Sequence, residues 1–179
     1  MVPLVVHSHY SLMWGTASPR RLCRAARQLG YERLALTDTD NLYGLWPFLA
    51  ACRREGIVPI VGAEVPEPGR GRRAVCLVET AEGYRNLCRL LTRRHLEAAT
   101  FDLENDLIAR AGGLALLTVD PGHDQGLVEL WLGPFEHLAF VRFVKVRGHV
   151  LGHLDVLDLV LANRHAIRAI DQDVGGHEE

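Results

Sequence analysis

The sequence predicts an α/β fold in which parallel strands are joined by crossover helices. Two observations carry this prediction. Over the first 65 residues, short apolar runs alternate with segments whose apolar residues recur at helical spacing, each bounded by capping or turn residues. Three successive apolar runs also end in ligand-type side chains: His7 and His9, then Asp38 and Asp40, then Glu64. In parallel α/β folds the βα loops converge at that edge of the sheet, and sites are built there.

VPLVV (2–6) reads as a buried strand. Ser18 is placed to cap a helix with Pro19 at its first position. Leu22, Cys23, Ala26 and Leu29 form the stripe of that helix, and Gly30 ends it. RLALT (33–37) is the second strand. The next helix carries Leu45, Phe48, Leu49 and Cys52 on one face, with Asp40 or Asn41 as its cap, and stops before Gly56. IVPIVGAEV (57–65) is the third strand. PEPGRGRR (66–73) is a turn-rich, basic excursion, and AVCLVE (74–79) is a strand able to pair with its predecessor. Thr80 caps a helix striped by Tyr84, Leu87, Cys88 and Leu91, whose outer face carries Arg85, Arg89, Arg93 and Arg94. That row reads as a solvated helix face, with a partner or phosphate surface as the alternative. FDLENDLIARAGG (101–113) is a short helix and GLALLTV (113–119) a buried strand. A brief helix over 123–132, a β segment over 137–150 and a last strand over 156–162 follow. The polar, glycine-rich residues 165–179 read as a frayed tail.

With 179 residues, the chain reads as one domain spanning 1–179. A net charge of −2 argues against gripping nucleic acid by charge alone. No apolar run reaches the ~18 residues of a membrane span, and the N-terminus lacks the basic start and cleavage site of a signal peptide. The four cysteines (Cys23, Cys52, Cys76, Cys88) contain no CxxC pair. They read as core packing in a reducing cytoplasm, not as a disulfide framework or zinc knuckle.

Strand alternation points His7 and His9 the same way. Imidazole with carboxylate suits zinc, manganese or iron. Each feature also has a plain reading: half-buried histidines, a DTD turn that caps a helix, and a solvated Glu64 ahead of Pro66. Their shared placement at the ends of three strands favours a site.

Five ordered blocks, HSHYSLMWG, RLCRAARQLG, LALTDTDNLYG, GIVPIVGAEV and EGYRNLCRLLTRRHL, together resemble the PHP (polymerase and histidinol phosphatase) domain. The likeness is to the version at the N-terminus of the bacterial DNA polymerase III alpha subunit and its error-prone relatives. It is strong over residues 4–97 and extends to GGLALLTVD. The resemblance implies a distorted, TIM-like (β/α)7 barrel with up to three metal ions at its rim. In active members it implies phosphoester hydrolysis, of phosphatase or 3′–5′ exonuclease type. In others the site is degraded and the domain is structural.

His7, His9 and Glu64 match family ligand positions, and Asp38, Asp40 and Asp120 are further candidates. Trp14 stands where the family has Asp or His, and Thr39 where it has His. Asp120 is nearest to a family Cys or His. The late Asp-x-His pair corresponds to ANRHAI, with Arg164 and His165; His149 and His153 are other late candidates for the rim. Indole cannot ligate a metal and a neutral threonine is a poor substitute for imidazole. The expectation is therefore one divalent ion (zinc, manganese or iron) or none, with little or no hydrolysis and a structural or interaction role. The alternative is an active metal-dependent phosphoesterase. The resemblance implies DNA polymerase or other replication or repair partners. The barrel is expected to be shortened at its C-terminus, leaving an apolar flank suited to a homodimer.

Overall fold

A computed structural model describes residues 2–118. Their elements are α1 (Pro19–Gln28), β1 (Arg33–Thr39), α2 (Leu45–Glu55), β2 (Val58–Pro66), β3 (Arg73–Val78), α3 (Ala81–Leu96), α4 (Leu103–Arg110) and β4 (Leu114–Thr118). The elements expected within 123–132, 137–150 and 156–162, and the tail over 165–179, lie outside the described residues. Among the described residues no helix is long and apolar enough to cross a membrane.

Local chemistry sets the helix ends. Ser18 Oγ accepts the Arg21 N–H at 3.3 Å, Thr80 Oγ1 the Gly83 N–H at 3.1 Å, and Asp102 Oδ1 the Asn105 N–H at 2.9 Å. Gly56 ends α2 with φ of +67°, a conformation in which a side chain would be strained. The start of α2 differs from expectation. Its cap is Gly44 and no side chain bonds there. Asn41 instead closes a local turn, its Oδ1 accepting from the Tyr43 N–H at 3.1 Å.

The sheet order is β1-β2-β3-β4. β1 and β2 are parallel, joined by α2. β2–β3 and β3–β4 are antiparallel, so parallel pairing stops after the first pair. The connection from Pro66 to Arg73 is too short for a crossover, and the chain turns back instead. Glu67 anchors that turn: its N–H donates to the Arg72 carbonyl at 2.7 Å, and its buried carboxylate pairs with Arg70 and Arg72. The basic excursion is therefore partly neutralised from within.

Residues 2–6 do not form the regular strand expected of them. They run beside β1, with the Ala35 N–H donating to Pro3 O (3.0 Å) and the Thr37 N–H to Val6 O (2.9 Å). Three steps along the leader thus match two along β1. The Thr37 hydroxyl fills the irregularity, accepting from the Val6 N–H at 3.0 Å.

Alternation along the strands divides the sheet into two faces. Leu34, Leu36, Val61, Ala63, Val65, Ala74, Cys76 and Val78 pack with the helices. Ala35, Ile60, Val75, Leu77, Ala115 and Leu117 form the other face, joined by Leu4. The arginine row of α3 is divided as well. Arg93 pairs with Asp106 of α4 at 2.5 Å, and Arg94 with Asp40 at 3.1 Å, while Arg85 is exposed.

The start of α3 is clamped to the turn before β4. Gly113 O accepts the Glu79 N–H at 2.9 Å, and a Cβ on Gly83 would lie 1.8 Å from that same oxygen. Gly83→Ala must push two backbones apart, at a cost of about 1–3 kcal/mol. A drop in thermal midpoint of a few degrees is expected by circular dichroism; an unchanged midpoint would show that the clamp is loose.

Candidate functional site

The site begins with a loop folded by a carboxylate. Asp38 is buried near the end of β1, on the helix-covered side of the sheet. Its Oδ1 accepts the Ser8 N–H at 2.6 Å and the Ser11 hydroxyl at 2.7 Å, and its Oδ2 accepts the Ser8 hydroxyl at 2.7 Å. The Ser11 oxygen in turn accepts the Thr39 N–H at 2.9 Å. Gly44 makes room for this carboxylate: a Cβ there would sit 2.7 Å from Asp38 Oδ2. These bonds fix the HSHYSLMWG segment as a turn, closed by the Ser11 N–H on Ser8 O at 2.9 Å. Ser8 and Ser11 carried no signal in the sequence beyond their polarity, yet they hold the loop in place.

The next residue of β1 faces the other way. Thr39 is in register with Glu64 of β2, and its hydroxyl donates to Glu64 Oε2 at 2.9 Å. Glu64 is only 2 % exposed. His7 Nε2 lies 3.0 Å from the same Oε2, with no N–H directed along the line between them, and that nitrogen is buried without another partner. Arg73, at the start of β3, donates to Glu64 Oε1 at 3.3 Å. Its guanidinium carbon lies 5.2 Å above the Trp14 ring, which is itself 6.3 Å from the His7 ring. Burial alone would raise the Glu64 pKa. The close approach of His7, the Thr39 bond and the Arg73 charge outweigh it, and the carboxyl lies below its ordinary value.

The structure thus brings together His7, Glu64, Thr39 and Trp14 of the residues singled out by sequence, and adds Arg73. Sequence periodicity could not find Arg73, because its place depends on the antiparallel turn between β2 and β3. Only the alternation of RAVCLV, once paired with β2, puts Arg73 on the Glu64 face.

His9 is exposed, its ring against Tyr10 at 4.5 Å between centroids. The strand alternation expected to align it with His7 is absent, because His9 lies in the turn. Asp40 has φ of +61° and reaches toward α3, with Oδ2 3.1 Å from Arg94 and Oδ1 3.6 Å from His95. Burial raises its pKa, against the opposing charges of Arg94 and His95. Asp120, His149, His153 and His165 lie outside the described residues.

A divalent ion does not fit the described residues as they stand. The orphan His7 nitrogen and Glu64 could share an ion, but among the described residues no three His, Cys, Asp or Glu side chains are grouped to hold one. Among the described residues, the other groups bonded to Glu64 are a hydroxyl and a guanidinium. A fixed cation there opposes a second one.

The lowered Glu64 pKa has a defined consequence for stability. Its contribution is complete above the ordinary value of 4.5 and is lost as pH falls through the lower folded value. Glu64→Gln is expected to flatten the acid side of the stability profile below pH 4.5, read from urea midpoints across pH. A profile parallel to that of the native chain would contradict it.

Comparison with known proteins gives the family of the chain. A family model described as the PHP domain matches residues 3–172. The DNA polymerase III subunit alpha of Treponema pallidum (strain Nichols) is 38 % identical over 133 residues, covering 65 % of this chain and 11 % of the relative. The error-prone DNA polymerase of Anaeromyxobacter sp. (strain K) is 37 % identical over 131 residues, covering 65 % of this chain and 12 % of the relative. The chain thus spans about an eighth of the length of these relatives. Among solved structures, an amidohydrolase from Chromobacterium violaceum overlaps 61 % of this chain and 43 % of its own, at 30 % identity and a TM-score of 0.40. With the family match running over nearly its whole length, this chain belongs to the PHP domain family.

Proposed function

We propose that this chain is the PHP module of a DNA polymerase III alpha-type system and serves a structural or interaction role, with little or no hydrolytic activity. The observation that supports this most is the engagement of Glu64. Its two carboxylate oxygens are already occupied by Thr39 and Arg73, with His7 alongside. In this reading Arg73 supplies the positive charge that a metal would supply elsewhere in the family. Trp14 braces it and carries no lone pair for a metal. The reading includes a (β/α)7 barrel within a single domain over 1–179, in the cytoplasm, with replication or repair proteins as partners. The relatives named above are polymerases matched over a small fraction of their length, and no DNA synthesis is assigned to this chain.

A second reading is favoured by one observation, the buried His7 Nε2 that lies 3.0 Å from Glu64 Oε2 without a hydrogen bond. In it, His7, His9 and Glu64 hold a zinc, manganese or iron ion, with Asp38, Asp40 or Asp120 completing the set. The ion would polarise a phosphoester and lower the pKa of water. For that, the Arg73 side chain would have to leave Glu64.

Metal analysis of the purified protein by mass spectrometry separates the two. It is paired with assays on p-nitrophenyl phosphate and 3′-labelled DNA in Mn²⁺ and Zn²⁺. Metal below roughly 0.1 equivalent and no hydrolysis are expected. Stoichiometric metal that disappears in a His7→Ala, His9→Ala double variant would establish the second reading instead.

A further inference from the structure

We infer that Cys23 and Cys52 form an oxidisable pair, a site of reversible disulfide formation between α1 and α2. The two side chains come from different helices, 29 residues apart in sequence, and their sulfurs lie 3.4 Å apart. Both are completely buried, so no other thiol competes for either from solvent. Cys76 sits on β3, and Cys88 is on α3, only partly buried. Neither cysteine belongs to a CxxC motif, so spacing alone does not pair them.

The S–H of either thiol can donate to the other sulfur. Either sulfur can therefore attack first with the other resolving, and the chemistry is the same with the roles exchanged. With a peroxide as oxidant, the Cys23 thiolate attacks one oxygen and the O–O bond breaks. Cys23 becomes a sulfenic acid and the other oxygen leaves, protonated, as water. The Cys52 sulfur then attacks the Cys23 sulfur. The S–O bond breaks, a second water leaves and the S–S bond forms. Two thiols and one peroxide give one disulfide and two waters. Burial means the peroxide enters only when α1 and α2 part locally, so the reaction is slow in the native state.

The position of the pair gives the bond a consequence. α1 follows the loop that carries His7 and Trp14, and α2 follows the loop from Asp38 to Gly44. A bond there would fix α1 against α2, the two helices that leave the site loops.

The test uses the full chain and a Cys76→Ala, Cys88→Ala variant that keeps only the proposed pair. Each is treated with hydrogen peroxide, denatured, alkylated and mapped by mass spectrometry. The native chain is expected to fall from four titratable thiols to two, with Cys23 and Cys52 in one linked peptide pair that dithiothreitol releases. The variant is expected to lose both of its thiols and to gain about 5–10 °C in thermal midpoint. Unlinked thiols at both positions after prolonged oxidation would overturn the inference. So would links that join Cys23 or Cys52 only to Cys76, to Cys88 or to a second chain.

Discussion

A carboxylate buried at the end of a central strand constrains this fold more than any other group. Glu64 is nearly inaccessible to water, and an isolated charge there would be very costly. Each neighbour that relieves this cost arrives through a different part of the architecture. Thr39 arrives by the parallel register of β1 with β2. Arg73 arrives because the chain reverses after Pro66 and pairs β3 antiparallel to β2. His7 arrives on the irregular leader, positioned by Thr37 and Asp38. The register of the sheet and the composition of the site are thus one problem.

Asp38 shows how strand alternation separates two neighbouring polar residues. It points to the helix-covered side and organises Ser8 and Ser11, while Thr39 points to Glu64. Adjacent positions on β1 therefore do different work, one shaping the loop and the other solvating the buried acid. The chain belongs to the PHP domain family. In the proposed reading the shape of the rim is kept while an arginine takes over the neutralising charge.

Much of the fold could be read from residues with local effects. Ser18, Thr80 and Gly56 mark helix ends because capping and positive φ are decided within a few residues. His7 and Glu64 stood out because ligand-type side chains at strand ends are a local pattern too. The failures are non-local. VPLVV is apolar enough for a strand, but nothing within it reports that the Thr37 hydroxyl would break the ladder. His9 lies in a turn, where strand alternation no longer sets its direction. Arg73 looked like one of several basic loop residues until the β2–β3 pairing placed it beside Glu64. The Cys23–Cys52 approach depends on how α1 packs on α2, which periodicity does not encode.

The most direct test is a crystal structure of the protein grown with excess zinc, with anomalous scattering recorded at the zinc edge. A rim neutralised by its own arginine gives no anomalous peak beside His7 and Glu64, with the Arg73 guanidinium still on the carboxylate. A peak within bonding distance of His7 Nε2 and a Glu64 oxygen, with Arg73 displaced, would contradict it.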